Sequence, residues 1–553
     1  MRRASLLILS LSLAGASTRG QSALNPESLR VRLFALAADS MGGRQTGEVG
    51  DWKAQEWVAA EFRAAGLKPA GEDGTYFQVI PFQRVFADSA THIRVGTVAF
   101  RLGRDVLPLG QPVSWSLEGV RAVFAGWLDR PESWIDSLTA AGRLLVFATG
   151  DSLRDFRSLG PLLAGLRRAP TYRAGAGVAI VALDRLAPDL IPQVLAGRII
   201  TDTVIPTPPG FRPLIFSTVA AARAILGVDP AAATGGVLGS PLAGGVRYAR
   251  AALAFPARNV IAVLTGDDPA LRGEYVAISA HHDHVGFTGR PVDHDSTYAY
   301  NRVVRPMGAD SPMRLAAPAE AARIAAIRDS LRRARPSRPD SIFNGADDDG
   351  SGTVGLIAIA QALSAGEGWG GARPRRSILF VSHAAEERGL LGSAWFTDHP
   401  TVARDSIVAE VDMDMIGRGG ATDLPKGGPG YLEVVGVRRL SRELGDLLER
   451  VNAGERAPFT FNYEYDAPGH PLQYYCRADH YSYARYGIPS VSLSRGEHAD
   501  YHQVTDEPQY IDYRDLGRVA TLVRDFARVV ADLDHRPALD GPRPADPHVP
   551  CRQ

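Results

Sequence analysis

Side chains that can bind metals or move protons are concentrated in five short segments of the second half of the chain. These segments are His281-His-Asp-His284, Asp347-Asp-Asp349, Glu386-Glu387, Asp414 and Tyr501-His502. Histidines and carboxylates without a thiolate suit Zn²⁺ or another divalent first-row ion. One carboxylate can bridge two such ions about 3.5–4 Å apart, and a neighbouring carboxylate that is not a ligand can act as general base. The residue types therefore predict a metal centre that activates water.

The same segments stand next to apolar runs that predict strands and one helix. Four runs that predict strands lead into His281, Glu386, Asp414 and Tyr501-His502, and a helical pattern over 354–363 follows the three aspartates. Ligand crevices of open α/β sheets lie outside the carboxyl ends of the strands. We therefore expect all five segments to meet at one edge of a sheet.

The wider pattern around these segments predicts the fold class. From residue 258 onward strand and helix patterns alternate, and residues 516–530 have the spacing of a helix with one buried face. This alternation predicts an α/β domain with a mostly parallel central sheet flanked by helices. Residues 287–341 interrupt it as an insertion with one Ala- and Arg-rich helix near 316–334.

The rest of the chain divides into four parts. Residues 1–22 have the two arginines, short apolar run and small residues of a secretory signal, and 23–84 contribute a helix near 52–65 to the α/β domain. Short strand patterns and Pro-rich turns over 85–255, without a cluster of His, Asp and Glu, predict an inserted β-rich domain for substrate access or partner contacts. The α/β domain proper spans 256–535, and the Pro-rich tail at 536–553 is predicted to be disordered.

Charge, apolar segments and cysteine content indicate the partners and the cellular compartment of the protein. The 61 basic and 61 acidic residues balance, which argues against nucleic acid or an anionic membrane as an obligatory partner. The apolar run of the signal is too short to span a membrane and no later segment reaches that length, so we expect an exported, secreted or periplasmic, protein. Cys476 and Cys551 are the only cysteines, and the sequence does not decide whether they pair.

Five motifs, taken in order, resemble those of the co-catalytic zinc exopeptidase family. They are His281-x-Asp283, Gly345-Ala-Asp-Asp348, Glu386-Glu-Arg-Gly-Leu-Leu-Gly-Ser393, Asp414-Met-Ile-Gly417 and Tyr501-His502. That family includes secreted bacterial leucyl aminopeptidases, carboxypeptidase-like glutamate peptidases and the transferrin-receptor ectodomain. The resemblance covers about 256–535 and 26–80, and it implies the zinc exopeptidase fold. Residues 85–255 are similar to the protease-associated domain that many members carry.

The resemblance also implies a role for each matched side chain. Two zinc ions per chain would be held by His281, Asp348, Glu387, Asp414 and His502, with Asp348 matching the bridging carboxylate. Glu386 matches the general base, and Asp283 resembles the aspartate that orients the site. Tyr501 resembles a hydrogen-bond donor to the tetrahedral intermediate.

Three features depart from the family pattern without removing a ligand. Asp349 stands where Asn is commoner, His282 stands where Tyr is commoner, and the 287–341 insertion is long. We interpret the remaining histidines of this region as hydrogen-bonded or surface residues; these are His282, His284, His383, His480 and His498. Asp347 and Asp349 are interpreted as capping or supporting groups.

The leading hypothesis is an exported di-zinc aminopeptidase that hydrolyses the N-terminal bond of peptides through a metal-bridging water. A glutaminyl-cyclase-like acyltransferase with a single zinc is the alternative from another reaction class. A carboxypeptidase or dipeptidase of the same family also remains open, because the pocket that holds a free terminus cannot be identified from the motifs. A receptor-like binding module is disfavoured because all five ligands are retained.

Overall fold

The computed structural model describes residues 24–150, 156–185, 190–201, 210–368, 370–418 and 427–553. The predicted signal at 1–22 lies outside these residues. Across the described residues, no helix is both long enough and apolar enough to cross a membrane.

The α/β domain is built on what we call the catalytic sheet, to which nine of the described strands belong. Eight lie side by side in the order Lys68–Pro69, Arg258–Leu264, Ser377–His383, Tyr275–His281, Ile407–Met413, Ser490–Ser494, Tyr431–Val435 and Thr460–Asn462, and Phe77–Val79 also pairs with Arg258–Leu264. The four strands from Ser377–His383 to Ser490–Ser494 are mutually parallel, and antiparallel neighbours flank them. The predicted parallel centre is therefore present.

Helices cover both faces of the catalytic sheet. Alternate residues of strand Tyr275–His281 point to opposite faces, so Val276 and Ile278 join the larger core while Ala277 joins the smaller one. The helices of this domain are Pro26–Leu36, Val49–Ala64, Gly352–Ser364, Leu391–Asp398, Arg442–Gly454, His480–Ala484 and Tyr513–Asp532. The central strands are buried on both sides, which explains why they read as continuous apolar runs.

A second assembly, the inserted sheet, also has nine strands among the described residues. They are His92–Val95, Val98–Phe100, Val106–Leu109, Trp115–Ser116, Arg121–Trp127, Leu144–Ala148, Gly177–Val181, Leu214–Ser217 and Leu238–Val246. Strands Arg121–Trp127, Leu144–Ala148, Gly177–Val181 and Leu214–Ser217 run parallel. Helices accompany them at Ser137–Ala140, Phe156–Arg168, Pro170–Ala174, Leu190–Ala196 and Val219–Leu226.

This region contains more helix than the predicted β-rich domain. Helix Phe156–Arg168 was not predicted because Gly160, Pro161 and Gly165 stand inside it, and these residues disfavour a helix on local propensity alone. Three strands, Phe82–Ala87, Arg198–Thr201 and Tyr248–Ala252, form a small separate sheet. In it Ala87 lies directly opposite Tyr248, so the chain enters and leaves the inserted region at one point.

The insertion predicted at 287–341 is an ordered unit in the structure. Strands Gly286–Asp293 and Pro339–Phe343 pair antiparallel. Between them lie helices His294–Val304 and Pro318–Ala334, the second close to the predicted 316–334.

The tail at 536–553 differs from the predicted disorder. It has neither helix nor strand, but Cys551 forms a disulfide with Cys476 across 75 residues. The Gly469 N–H donates to the carbonyl of Gln553, 3.0 Å away. The covalent link and such hydrogen bonds fix a segment whose Pro-rich composition offers no core of its own.

Candidate metal centre

The Asp348 loop places a carboxylate at the carboxyl edge of the catalytic sheet. Gly345 precedes it with a φ of +56°, and a Cβ there would lie 2.5 Å from the ring of His284, so only glycine fits. The peptide bond between Asp348 and Asp349 is cis. The N–H groups of Asp347 and Asp348 both donate to the buried Asp506 carboxylate at 3.0–3.1 Å. These contacts fix the backbone and leave the Asp348 side chain facing the cleft.

Asp349 supports this loop and has a different role from its neighbour. Its two carboxylate oxygens accept hydrogen bonds from the backbone N–H groups of His281, Gly352 and Met415 at 2.9–3.1 Å. A neutral amide has only one acceptor oxygen for these donors, which gives a physical reason for Asp at this position. The supporting role expected for Asp349 therefore agrees with its contacts.

Three side chains converge on one side of Asp348. His502 Nε2 lies 2.8 Å from Asp348 Oδ2 and 3.0 Å from Glu387 Oε2. His284 Nδ1 lies 2.7 Å from Glu387 Oε1 and 3.7 Å from Asp348 Oδ2. These four residues form a group whose geometry could hold one metal ion.

A second group lies on the other side of Asp348. His281 Nε2 is 3.3 Å from Asp348 Oδ1 and 3.8 Å from Asp414 Oδ1. Since Asp348 presents one oxygen to each group, it occupies the position that a bridging carboxylate requires. Asp349 is the third member of this group by distance, but its oxygens already accept three backbone N–H groups.

The side chains present fit a divalent cation. His281 Nε2 and Asp414 Oδ1 are buried and, among the described residues, have no hydrogen-bond partner. Two ligands of a tetrahedral zinc ion lie about 3.3 Å apart, close to the separation between His281 and Asp348. Such unpaired buried groups are costly in a metal-free protein, and a nitrogen and oxygen donor set of this kind suits zinc.

Glu386 lies beside these groups without belonging to either of them. Its Oε2 is 3.8 Å from His281 Nε2, and its side chain lines a cleft of about 570 Å³ together with Asp348, Asp414 and Tyr501. Asp283 fixes it indirectly, because Asp283 Oδ1 accepts from the Glu386 N–H at 3.0 Å. Asp283 itself is held by the Thr46 hydroxyl at 2.8 Å.

Burial and neighbouring charges move the pKa values of these groups in opposite directions. Burial, reinforced by the charges of Glu387 and Asp414, raises the pKa of Glu386 well above its ordinary value. Burial also acts on Asp348, but contacts with His281, His284 and His502 outweigh it and lower the pKa of that carboxyl well below the usual range. Two carboxylates in one cleft thus differ in proton affinity.

Residues in or next to the candidate metal centre have strained backbone conformations. Ala385 precedes Glu386 with a φ of 57°, Met415 follows Asp414 with a φ of 61°, and His502 itself has a φ of 51°. Residues other than glycine rarely adopt this left-handed conformation, and it concentrates at functional sites.

Tyr501 lies on the wall of the cleft. Its hydroxyl accepts a hydrogen bond from Arg477 at 3.1 Å, and its ring stacks on His502 with 4.1 Å between centroids. Arg477 also pairs with Asp310 of the insertion at 2.6 Å. Tyr501 therefore lies in the same cleft as Asp348 and Asp414, and its role as a hydrogen-bond donor stays a prediction.

The structure thus brings together every predicted site residue and adds some that the motifs did not indicate. His284 was expected to be a hydrogen-bonded or surface histidine, yet it is fully buried against Glu387; its spacing from His281 was the available signal. Arg44 is fully buried and donates to the carbonyls of His282, Asn344 and Gly345 at 2.6–2.7 Å. Nothing in the local sequence distinguishes Arg44 from other arginines.

Three of the other histidines near the site contact polar side chains of neighbouring elements. His282 Nδ1 lies 2.9 Å from the Ser382 hydroxyl, and His383 Nε2 lies 3.1 Å from the Tyr483 hydroxyl. His498 Nε2 is 3.1 Å from Asp347 Oδ2. These three residues support neighbouring elements, in keeping with their interpretation from sequence. His480 differs from that interpretation, because it is fully buried, neither ring nitrogen has a hydrogen-bond partner among the described residues, and its ring packs on Tyr475.

Comparison with known proteins identifies the region that carries this centre. Residues 259–527 match the model of peptidase family M28. Leucine aminopeptidase 1 of Coccidioides posadasii (strain C735) is 35% identical over 157 residues, which are 28% of this chain and 37% of that protein. The chain therefore spans little more than a third of the length of this curated relative.

Solved structures show similarity over a longer part of the chain. An aminopeptidase from Aneurinibacillus sp. strain AM-1 aligns with a TM-score of 0.49 and 16% identity, covering 94% of this chain and 98% of that one. The zinc aminopeptidase BSAP from Bacillus subtilis aligns with a TM-score of 0.47 and 15% identity, covering 92% and 95%. The match to peptidase family M28 therefore covers the region, residues 259–527, that contains all five predicted metal ligands.

Proposed function

We propose that this chain is an exported, zinc-dependent aminopeptidase that removes N-terminal residues from peptides. The observation that carries the proposal is the convergence of four side chains on Asp348 at one cleft, with the non-ligand carboxylate of Glu386 beside them; the four are His281, Glu387, Asp414 and His502. The match of residues 259–527 to peptidase family M28 and the aminopeptidase names of the chain's relatives agree with this reaction class.

The two groups around Asp348 would hold two zinc ions. His281 and Asp414 would serve one ion, Glu387 and His502 would serve the other, and Asp348 would bridge them. His284 is available to the second ion or to Glu387. When bound, the metal polarises the scissile carbonyl and lowers the pKa of water.

The chain's own residues move the proton. Glu386 accepts a proton from the attacking water as its oxygen bonds to the carbonyl carbon. It returns that proton to the departing amine nitrogen as the carbon–nitrogen bond breaks. Tyr501 donates a hydrogen bond to the carbonyl oxygen while negative charge accumulates there. Asp283 keeps Glu386 in place through the backbone N–H.

Export is the second element of the proposal. The sequence of residues 1–22 supports it, and so does the disulfide between Cys476 and Cys551. Structural disulfides persist mainly in oxidising compartments.

The decisive experiment compares Glu386→Gln with the wild type and with Glu132→Gln, which changes an exposed residue of the inserted region. We expect Glu386→Gln to retain its metal and to lose turnover of leucyl-aminomethylcoumarin by about 10²–10⁴-fold, while the control keeps both. Wild-type turnover should vanish with a chelator and with N-blocked substrates. Near-normal turnover of Glu386→Gln would show that Glu386 is not the general base. Cyclisation of N-terminal Gln, without release of an amino acid, would indicate an acyltransferase.

A further inference from the structure

A second cavity adjoins the metal cleft. It has a volume of about 790 Å³ and is lined from the insertion by Val292, Tyr300 and Met313 and from the α/β domain by Phe343, His502 and Val504. His502 also lines the metal cleft. Its side chain keeps 25% of its surface exposed, whereas Asp348 and Glu387 retain 4–5%. The two cavities therefore meet at His502.

The insertion wall of this cavity is firmly attached to the loop that carries His502. Arg302 donates two hydrogen bonds to the buried Asp500 carboxylate at 2.8 and 2.9 Å. The Ala309 N–H donates to the carbonyl of Tyr501 at 3.0 Å, and the Asn301 amide donates to Gln503 at 3.1 Å. The wall is a fixed part of the site, and these bonds on both sides of His502 set its position relative to Asp348 and Glu387.

The cavity differs in chemistry from the metal cleft. Most of its exposed wall surface is apolar, although polar side chains such as Thr288, Arg305 and Gln503 also line it, and none of its described lining residues is acidic. Met313 exposes 58% of its surface at the rim. The metal cleft, by contrast, includes the carboxylates of Glu433 and Glu497. Concave sites with mostly apolar walls and a few polar groups bind apolar ligands.

We propose that this cavity, which we call the insertion groove, binds the part of a peptide substrate that follows the scissile bond and prefers apolar side chains there. The inference rests on the proposed function and specifies its substrate class. Because His502 lines both cavities, the insertion groove begins where the metal cleft lies beside His502. A peptide whose first residue lies in the metal cleft and whose bond crosses the metals beside His502 continues directly into it.

The test measures kcat/KM for three substrates that share an N-terminal leucine. Leucinamide lacks side chains beyond the scissile bond, Leu-Gly-Gly offers only backbone, and Leu-Phe-Phe offers apolar side chains. We expect the wild type to favour Leu-Phe-Phe over Leu-Gly-Gly by about 10-fold or more, the discrimination that an apolar pocket provides.

Met313→Asp introduces a charge into the groove and should lower the ratio of kcat/KM for Leu-Phe-Phe to that for leucinamide at least about tenfold. Tyr300→Ala should change the ratio in the same direction by removing part of the wall. Leu315→Asp is the matched control, because Leu315 is 94% exposed and is not among the residues lining the groove. In this control the ratio should stay within about twofold of the wild type.

The outcomes separate the two proposals. A wild type that shows no preference among the peptides, or variants that keep the wild-type ratio, would overturn the insertion groove and leave the aminopeptidase intact. An enzyme that cleaves none of the three substrates with zinc present would overturn the proposed function and the groove with it. Circular dichroism and a melting curve for each variant confirm that the comparison concerns folded protein.

Discussion

The catalytic sheet and the inserted sheet have similar centres and very different edges. Each contains four parallel strands, and each has a cavity beyond the carboxyl ends of these strands. In the inserted sheet a cavity of about 430 Å³ is lined by residues such as Trp127, Thr149 and Val181. Topology therefore provides a crevice in both regions, and it does not by itself provide chemistry.

The difference lies in what the charged residues at the two edges contact. In the inserted sheet Asp184 accepts from the Val219 N–H at a helix start, and Arg185 donates to the carbonyl of Gly150. In the catalytic sheet Asp349 and Asp506 take up the backbone N–H groups, which leaves Asp348 facing the cleft. A functional edge thus needs two sets of carboxylates, one that fixes the loops and one that remains available.

The largest expected effect comes from replacing Asp348, the carboxylate that faces the cleft. Asp348→Asn replaces a carboxylate whose two oxygens face both groups, so we expect loss of bound zinc and a fall in turnover of at least about 10³-fold. Asp184→Asn makes the same chemical change at the inserted sheet and should leave both properties unchanged. Metal analysis with kinetics checks the pair. Equal effects of the two substitutions would refute the contrast between the edges.

The disulfide should stabilise the catalytic region and not the inserted one. By the chain-entropy model, opening a 75-residue loop with Cys551→Ser costs about 4.5 kcal/mol. Hydrogen exchange should rise in the tail and in residues 464–477, while strand Gly177–Val181 keeps its protection. Exchange that rises equally in both sheets would show that they unfold as one unit.

Arg302 should act as a positioning residue for the loop that carries Tyr501 and His502. Its buried partner Asp500 also accepts from Arg418 at 2.8 Å. We expect Arg302→Met to weaken zinc binding by about 10–100-fold, the range for groups that support a ligand. Arg302→Lys should recover part of this loss. Lysine restores the positive charge, but it cannot make the two parallel hydrogen bonds that the guanidinium donates to the Asp500 carboxylate.

The control for Arg302 lies in the same insertion. Arg314 pairs with Glu320 at 2.6 Å, away from the 498–507 loop. Arg314→Met should leave zinc affinity, measured by chelator competition, within about twofold of the wild type. If both variants bind zinc like the wild type, the insertion does not position His502.

The smallest effect concerns acid stability. Burial lowers the pKa of His480 to about 3, so the folded chain binds fewer protons than the unfolded chain between pH 3 and 6.5. Stability from this group is complete above pH 6.5 and falls as the solution is acidified, by about 2 kcal/mol at pH 5. His480→Gln should flatten that part of a denaturation profile. An unchanged slope would mean that His480 does not titrate as described.

Local patterns predicted the central strands and the final helix well, because burial on both faces or on one stripe leaves a clear periodicity. They also placed His281, Asp348 and His502 at one edge. The pairing of Gly286–Asp293 with Pro339–Phe343 was not predicted, because no local sequence pattern indicates which distant strand a segment pairs with. Arg44 was missed for a related reason, because its partners are backbone carbonyls from distant segments. Every residue has a backbone carbonyl, so the sequence does not show which ones accept from an arginine.

The meeting of Ala87 and Tyr248 makes the inserted region separable in principle. Residues directly opposite in an antiparallel pair lie about 4.5–5.5 Å apart, a gap that a two-residue Asn-Gly turn closes. A shortened chain with residues 88–247 replaced by that turn would keep Phe82–Ala87 and Tyr248–Ala252 as a plain hairpin. It would offer the peptidase unit alone for crystallisation and for kinetic comparison with the whole protein.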